Sequence, residues 1–120
     1  MRMLACCAAG VLIAVGGMNV PSGSGSVTRD TAVAIKTFQF RPGSLVVPAG
    51  TRVTWTNGDE IEHTITAGVP DSANGDFHGP VKTAGASFAH TFTQPGSFSY
   101  FCERHPFMRG TIRVTPTGEN

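Results

Sequence analysis

The tightest constraint on this chain is a period of two. From Thr31 onward apolar and polar side chains alternate in short runs, and Gly, Pro, Asn or Asp ends each run. TAVAIKTFQF sets Val33 and Ile35 against Ala32, Ala34 and Lys36, and TRVTWTN sets Val53 and Trp55 against Arg52, Thr54 and Thr56. ASFAHTFT alternates Phe88, His90 and Phe92; GSFSYFC carries Phe98 and Tyr100 on one face; GTIRVTP sets Ile112 and Val114 against Thr111, Arg113 and Thr115. SLVVPAG and HTITA are shorter apolar or β-branched runs. Alternation of this kind belongs to strands with one buried face, and no segment after Thr31 shows a sustained helical stripe. Seven or eight such strands in 120 residues predict one all-β domain, an antiparallel sandwich. The longest gap, GVPDSANGDFHGPVKTAG, reads as a loop of turn residues with at most one short strand inside.

Ahead of this pattern lies a segment of another kind. Arg2 precedes the apolar run MLACCAAGVLIAVGG, and Ala14-Val15-Gly16 supplies a small-x-small cleavage site. Residues 1–20 are therefore expected to be a signal peptide, with retention as an N-terminal membrane segment the alternative. A lipid anchor on Cys6 or Cys7 is disfavoured, because almost no apolar stretch precedes them. Residues 21–30 are a Gly/Ser-rich flexible linker, and 31–117 form the domain. This organisation predicts export, to a periplasmic or extracellular location.

Nine Lys and Arg face eight Asp and Glu, with no basic run suited to nucleic acid and no acidic tail. Loss of the leader removes Cys6 and Cys7 and leaves Cys102 alone. A single thiol in an oxidising compartment is a liability unless it is buried, reactive or metal-bound.

Cys102 opens the stretch CERHPFM, in which Cys102, His105 and Met108 stand three residues apart in the turn between two expected strands. His63 begins another strand just after the turn NGDEIE. Turns at one end of a sandwich come together, so His63 can meet the Cys102–Met108 loop. Two imidazoles, a thiolate and a weak axial thioether are the donors of a blue-copper electron-transfer site. Structural zinc sites seldom use a thioether, iron–sulfur clusters need more cysteines, and no C-x-x-C-H haem motif occurs. His78 and His90 are expected to be structural or surface residues, Trp55 and Tyr100 core, and Asp59, Glu60 and Glu62 solvated.

Two stretches, FQFRPGSLVVPAGTRVTWTNGDEIEHTIT and GSFSYFCERHPFMRGTIRV, make the chain resemble the cupredoxins of the plastocyanin/azurin family. The short Cys-x₂-His-x₂-Met loop with HPFMRG is most similar to that of amicyanin. The resemblance implies an eight-stranded Greek-key sandwich and one type 1 copper held by His63, Cys102, His105 and Met108. It also implies single-electron shuttling between redox partner proteins, with the His105 ring edge as the port. Pro106 and Phe107 flank that port, and Val69 and Pro70 are expected beside it, giving a small apolar patch for transient docking by a monomer. Two positions depart from the family pattern. Thr64 follows the first histidine where many relatives carry Asn, so its hydroxyl is expected to tie the ligand loop instead. Phe101 precedes Cys102 where plastocyanins have Tyr.

The competing reading is a copper-binding protein that buffers or delivers the metal without passing electrons. A copper enzyme would need further sites built from several histidines, and only His78 and His90 remain. A metal-free adhesion domain would leave Cys102 unexplained.

Overall fold

The computed structural model describes residues 29–116. The expected leader over 1–20 lies outside the described residues, as does the linker up to residue 28. The last two positions of that expected linker, Arg29 and Asp30, belong to the first strand.

Nine strands follow in order: β1 (Arg29–Lys36), β2 (Gln39–Arg41), β3 (Ser44–Pro48), β4 (Thr51–Asn57), β5 (His63–Val69), β6 (Ser72–Val81), β7 (Ser87–Phe92), β8 (Gly96–Phe101) and β9 (Arg109–Thr115). They form a four-stranded sheet, β2-β1-β4-β7, and a five-stranded sheet, β3-β9-β8-β5-β6. The described residues contain no helix. The alternating apolar positions face inward as the pattern requires. Val33, Ile35, Val53 and Trp55 from one sheet meet Ile65, Ala67, Tyr100, Ile112 and Val114 from the other. Trp55 sits at the middle, fully buried, with Phe77, Phe88, Phe92 and Tyr100 at ring-centroid distances of 5.3–6.2 Å. Full burial of side chains of this size contributes about 1.5–3 kcal/mol each.

The strand count is nine against the expected seven or eight, and two local departures from the seven runs read in the sequence account for it. TAVAIKTFQF was expected to run as one strand, but it reverses at Thr37 and Phe38 into the β1–β2 hairpin. Both residues have left-handed φ, 53° and 58°. That conformation costs an L-residue about 1–2 kcal/mol, and neither Gly nor Asn announces it. The second departure is β6, ten residues long inside the expected loop. Its first half, Ser72–Asp76, is exposed, whereas Phe77, Gly79 and Val81 alternate inward against β5 and the core.

Nor is the pairing antiparallel throughout, because β1 pairs with β4 and β3 with β9 in parallel. After β2 the chain crosses at Pro42-Gly43 from one sheet to the other. β1 and β3 thus each run alongside a strand far from them in sequence.

This topology gathers two connections at one end. β4 leads through Gly58–Glu62 into β5 at His63, and β8 leads through Cys102–Met108 into β9. β5 and β8 are neighbours, with Thr66 opposite Phe101. Beneath the second loop Tyr100 lies across Gly110, where an added Cβ would sit 2.3 Å from the Tyr100 Cζ and Oη. The glycine after Met108-Arg109 is therefore a packing requirement.

Candidate metal centre

The Cys102–Met108 loop is closed by its own backbone. Cys102 N donates to the Met108 carbonyl at 3.1 Å, and Met108 N donates to the His105 carbonyl at 2.8 Å. The Arg109 Nε donates to the Pro106 carbonyl at 3.2 Å. Three residues spaced by three are thereby wound into one compact turn. Cys102 is fully buried, Met108 is buried, and His105 is half-buried.

His63 comes from the other connection and is 0% exposed. Its Nε2 lies 2.9 Å from the Asp59 Oδ2. A carboxylate only accepts, so Nε2 carries the proton and Nδ1 presents its lone pair. That Nδ1 lies 3.8 Å from the Cys102 Sγ, and the His105 Nδ1 lies 3.6 Å from the same sulfur. The three donor atoms all lie within 4.8 Å of one another. Two imidazole nitrogens and a thiolate converging in a buried space, with a buried methionine at the end of the same loop, fit the ligand preferences of copper. The sole cysteine among the described residues is the one at this focus.

The expected substitute tie at Thr64 is present and forms part of a closed ring. Glu103 N donates to the Thr64 Oγ1 at 2.9 Å, the Thr64 and Thr66 hydroxyls are 2.9 Å apart, and the Thr66 Oγ1 is 3.2 Å from the Glu103 Oε1. The carboxylate must accept from Thr66, so Thr64 donates to Thr66 and its oxygen is left to receive the Glu103 amide. Thr64 N also points at the Cys102 Sγ, 3.4 Å away. That N–H gives the sulfur a hydrogen-bond donor from β5. One threonine thus ties the ligand loop to β5 and polarises its sulfur.

The electrostatics favour neutral imidazole, the form that binds metal. Burial lowers the His105 pKa below its ordinary value, and the neighbouring His63 and Arg104 lower it further, against an opposing pull from Asp59. Asp59 stays below the usual carboxylate range. Partial burial pushes it up, but the amides of Phe38 and Thr37 and the His63 ring together outweigh that.

The structure brings His63, Cys102 and His105 together and places Met108 at the close of their loop. It does not bring Val69 and Pro70 to the port. Val69 ends β5 six residues beyond His63, about 20 Å along an extended strand. Their place is taken by Phe38, whose ring meets His63 edge-on at 5.4 Å, His105 at 4.9 Å and Phe107 at 6.4 Å. Phe38 could not be read as a site residue, because only the unsignalled reversal at Thr37-Phe38 brings it there. Asp59 was expected to be solvated; it is instead bound to three donors. Its spacing four residues before His63 was the available signal. His78 is half-exposed and lies 3.4 Å from Glu103, His90 packs between Phe77 and Phe92, and neither belongs to the cluster of His63, Cys102 and His105.

Residues 27–115 match the family model of copper binding proteins, plastocyanin/azurin family. Amicyanin-alpha of Methylorubrum extorquens is 33% identical over 107 residues, covering 89% of this chain and 83% of the relative. Amicyanin of Paracoccus denitrificans is 32% identical, covering 94% of this chain and 95% of the relative. Among solved structures, a purple cupredoxin from Nitrosopumilus maritimus superposes with a TM-score of 0.66 at 29% identity, covering 72% of this chain and all of that one. The chain belongs to the plastocyanin/azurin family of copper-binding proteins, the cupredoxins, whose cofactor is one type 1 copper ion.

Proposed function

We propose that this chain is an exported, monomeric carrier of single electrons between redox partner proteins, and that His63, Cys102, His105 and Met108 hold its copper. One observation carries the reading: the Nδ1 atoms of His63 and His105 both face the buried Cys102 sulfur, at 3.8 and 3.6 Å. When bound, the copper supplies a one-electron Cu(I)/Cu(II) couple. The chain's own residues do the rest. Asp59 fixes the His63 tautomer, the Thr64 amide polarises the thiolate, and the loop's backbone bonds hold Cys102, His105 and Met108 at their spacing. Donors held this firmly move little between oxidation states, which keeps reorganisation small.

His105 supplies the route out. Its ring is half-buried, with Pro106 beside it and Phe107 70% exposed. Phe38 and Ile61, both exposed apolar residues, extend the apolar surface of this end. A small apolar patch suits a brief encounter, since weak redox complexes bury little area. The carrier reading over an enzyme rests on the cupredoxin family to which the chain belongs. Export rests on the N-terminal apolar segment.

Protein-film voltammetry together with the electron self-exchange rate of mixed oxidised and reduced protein tests this. A reversible couple with fast self-exchange is expected, slowed by Phe107→Glu without loss of copper. Slow exchange combined with ready loss of copper to a competing chelator would identify a protein that buffers or delivers the metal.

A further inference from the structure

Asp59 makes contacts that exceed what orienting one histidine requires. Its Oδ1 accepts the Thr37 amide at 2.8 Å, and its Oδ2 accepts both the Phe38 amide at 3.0 Å and the His63 Nε2–H at 2.9 Å. The carboxylate is itself held, since Asp59 N donates to the Asn57 Oδ1 at 2.8 Å. Asn57 is anchored in turn through its Nδ2 to the carbonyls of Ile61 and Val81. Thr37 and Phe38 are two of the three described non-glycine residues in the left-handed region, where neither threonine nor phenylalanine settles unaided. They form the turn that lays the Phe38 ring against the edges of His63 and His105. Beside this ring lies a shallow cavity of about 220 Å³ bounded by Thr37, Phe38, Phe40, Phe107, Met108 and Arg109. Phe38 and Met108 thus line the same cavity at the edge of the site, with the Phe38 ring against both histidines.

We infer that Asp59 is a positioning residue with two coupled tasks: it locks the His63 ring, and it pins the left-handed Thr37-Phe38 turn so that Phe38 closes the site to external ligands. The second task rests on the copper reading above; the first does not. Both follow from one carboxylate having to satisfy three donors. Asparagine cannot replace it. Either orientation of an amide turns its NH₂ toward the Thr37 amide or toward the Phe38 amide and His63 Nε2–H together.

The experiment is hydrogen exchange followed by NMR on the copper-free and Cu(I) protein, with azide titration of the Cu(II) protein followed in the visible spectrum. In the wild type, the Thr37 and Phe38 amides and the His63 Nε2–H should all exchange slowly, and azide should leave the spectrum unchanged. In Asp59→Asn, whichever way the amide turns, one turn amide loses its acceptor and the left-handed turn opens, so all three should exchange about tenfold faster or more. Phe38→Ala keeps the carboxylate and the His63 bond but removes the cover. It and Asp59→Asn should both acquire a saturable azide-dependent change. If the turn amides of the wild type exchange as fast as open loop, there is no clamp. If Asp59→Asn frees His63 alone and leaves the turn protected, the two tasks are not coupled. Indifference of Phe38→Ala to azide would remove the closing role. Should Asp59→Asn fail to fold, the wild-type exchange and Phe38→Ala still decide. Failure to take up copper would sink the copper reading, while the copper-free exchange data would still test the clamp.

Discussion

The two histidines of the site face the same sulfur and are otherwise opposites. His63 starts a strand, is fully buried, and has its far nitrogen held by Asp59. His105 rides on a loop, is half-buried, and is flanked by the most exposed large apolar residue among those described, Phe107. One ring belongs to the sandwich and the other to the surface. In the proposed carrier, β5 would set metal geometry from inside, while the electron route would run outward through His105 on the loop. A rigid frame and an accessible exit have been assigned to different residues, so each can be disturbed separately.

The largest expected effect breaks the comparison at its centre. Replacing either histidine by glycine should abolish the blue colour, but only one loss should be reversible. His105→Gly opens a gap to solvent, so added imidazole restores the visible band. His63→Gly opens a gap beneath Phe38 and the strands, and imidazole at the same concentrations should leave it colourless. Visible titration of both variants measures this. Equal rescue of both would mean that the buried and exposed ligands are not distinct in access.

A second test probes the frame below the site. Tyr100 is the single tyrosine of the chain, and burial pushes its hydroxyl from 10.0 up to about 12, with a small opposing contribution from the Trp55 indole. The unfolded chain ionises near 10 and the folded chain near 12. This contribution to stability is intact below pH 10 and falls away as pH rises through 10 to 12, by about 2–3 kcal/mol in all. Phenolate absorbance should appear near pH 12 in the folded protein, and urea midpoints should drop between pH 10 and 12 by more than in Tyr100→Phe. Ionisation near 10 with the fold intact would show that the frame admits water to Tyr100.

The smallest effect lies at the seam between frame and loop. Thr64→Val keeps the shape of the side chain but leaves the Glu103 amide without its acceptor and breaks the ring through Thr66. The cost to the copper-free protein should be about 1–2 kcal/mol by urea denaturation. Its reduction potential should also shift as the ligand loop loosens. An unchanged potential and midpoint would show that the loop's own backbone bonds suffice to hold it.

Much of this was legible in the sequence because it depends on local pattern. Alternation at Val33/Ile35, Val53/Trp55 and Ile112/Val114 declared the strands and their inward faces. The spacing of Cys102, His105 and Met108 declared a single ligand loop, and the end-to-end logic of a sandwich brought His63 to it. Thr64 as a tie was legible once its position after His63 was seen. What escaped depends on contacts between segments distant in sequence. The reversal at Thr37-Phe38 carries no turn residue, because its support is the Asp59 carboxylate more than twenty residues away. β6 was hidden by Asn74-Gly75 and Pro80, since its pairing with β5 compensates for poor strand composition. Phe38 reached the site and Val69 did not for the same reason: which end of a strand faces the metal is settled by topology.

The most direct test is the visible spectrum of the Cu(II)-loaded protein beside Cys102→Ser. The account predicts an intense thiolate-to-Cu(II) band in the wild type that is absent from the variant, which would place copper on the buried sulfur between His63 and His105. Copper uptake without that band, or a band that survives the loss of Cys102, would contradict it.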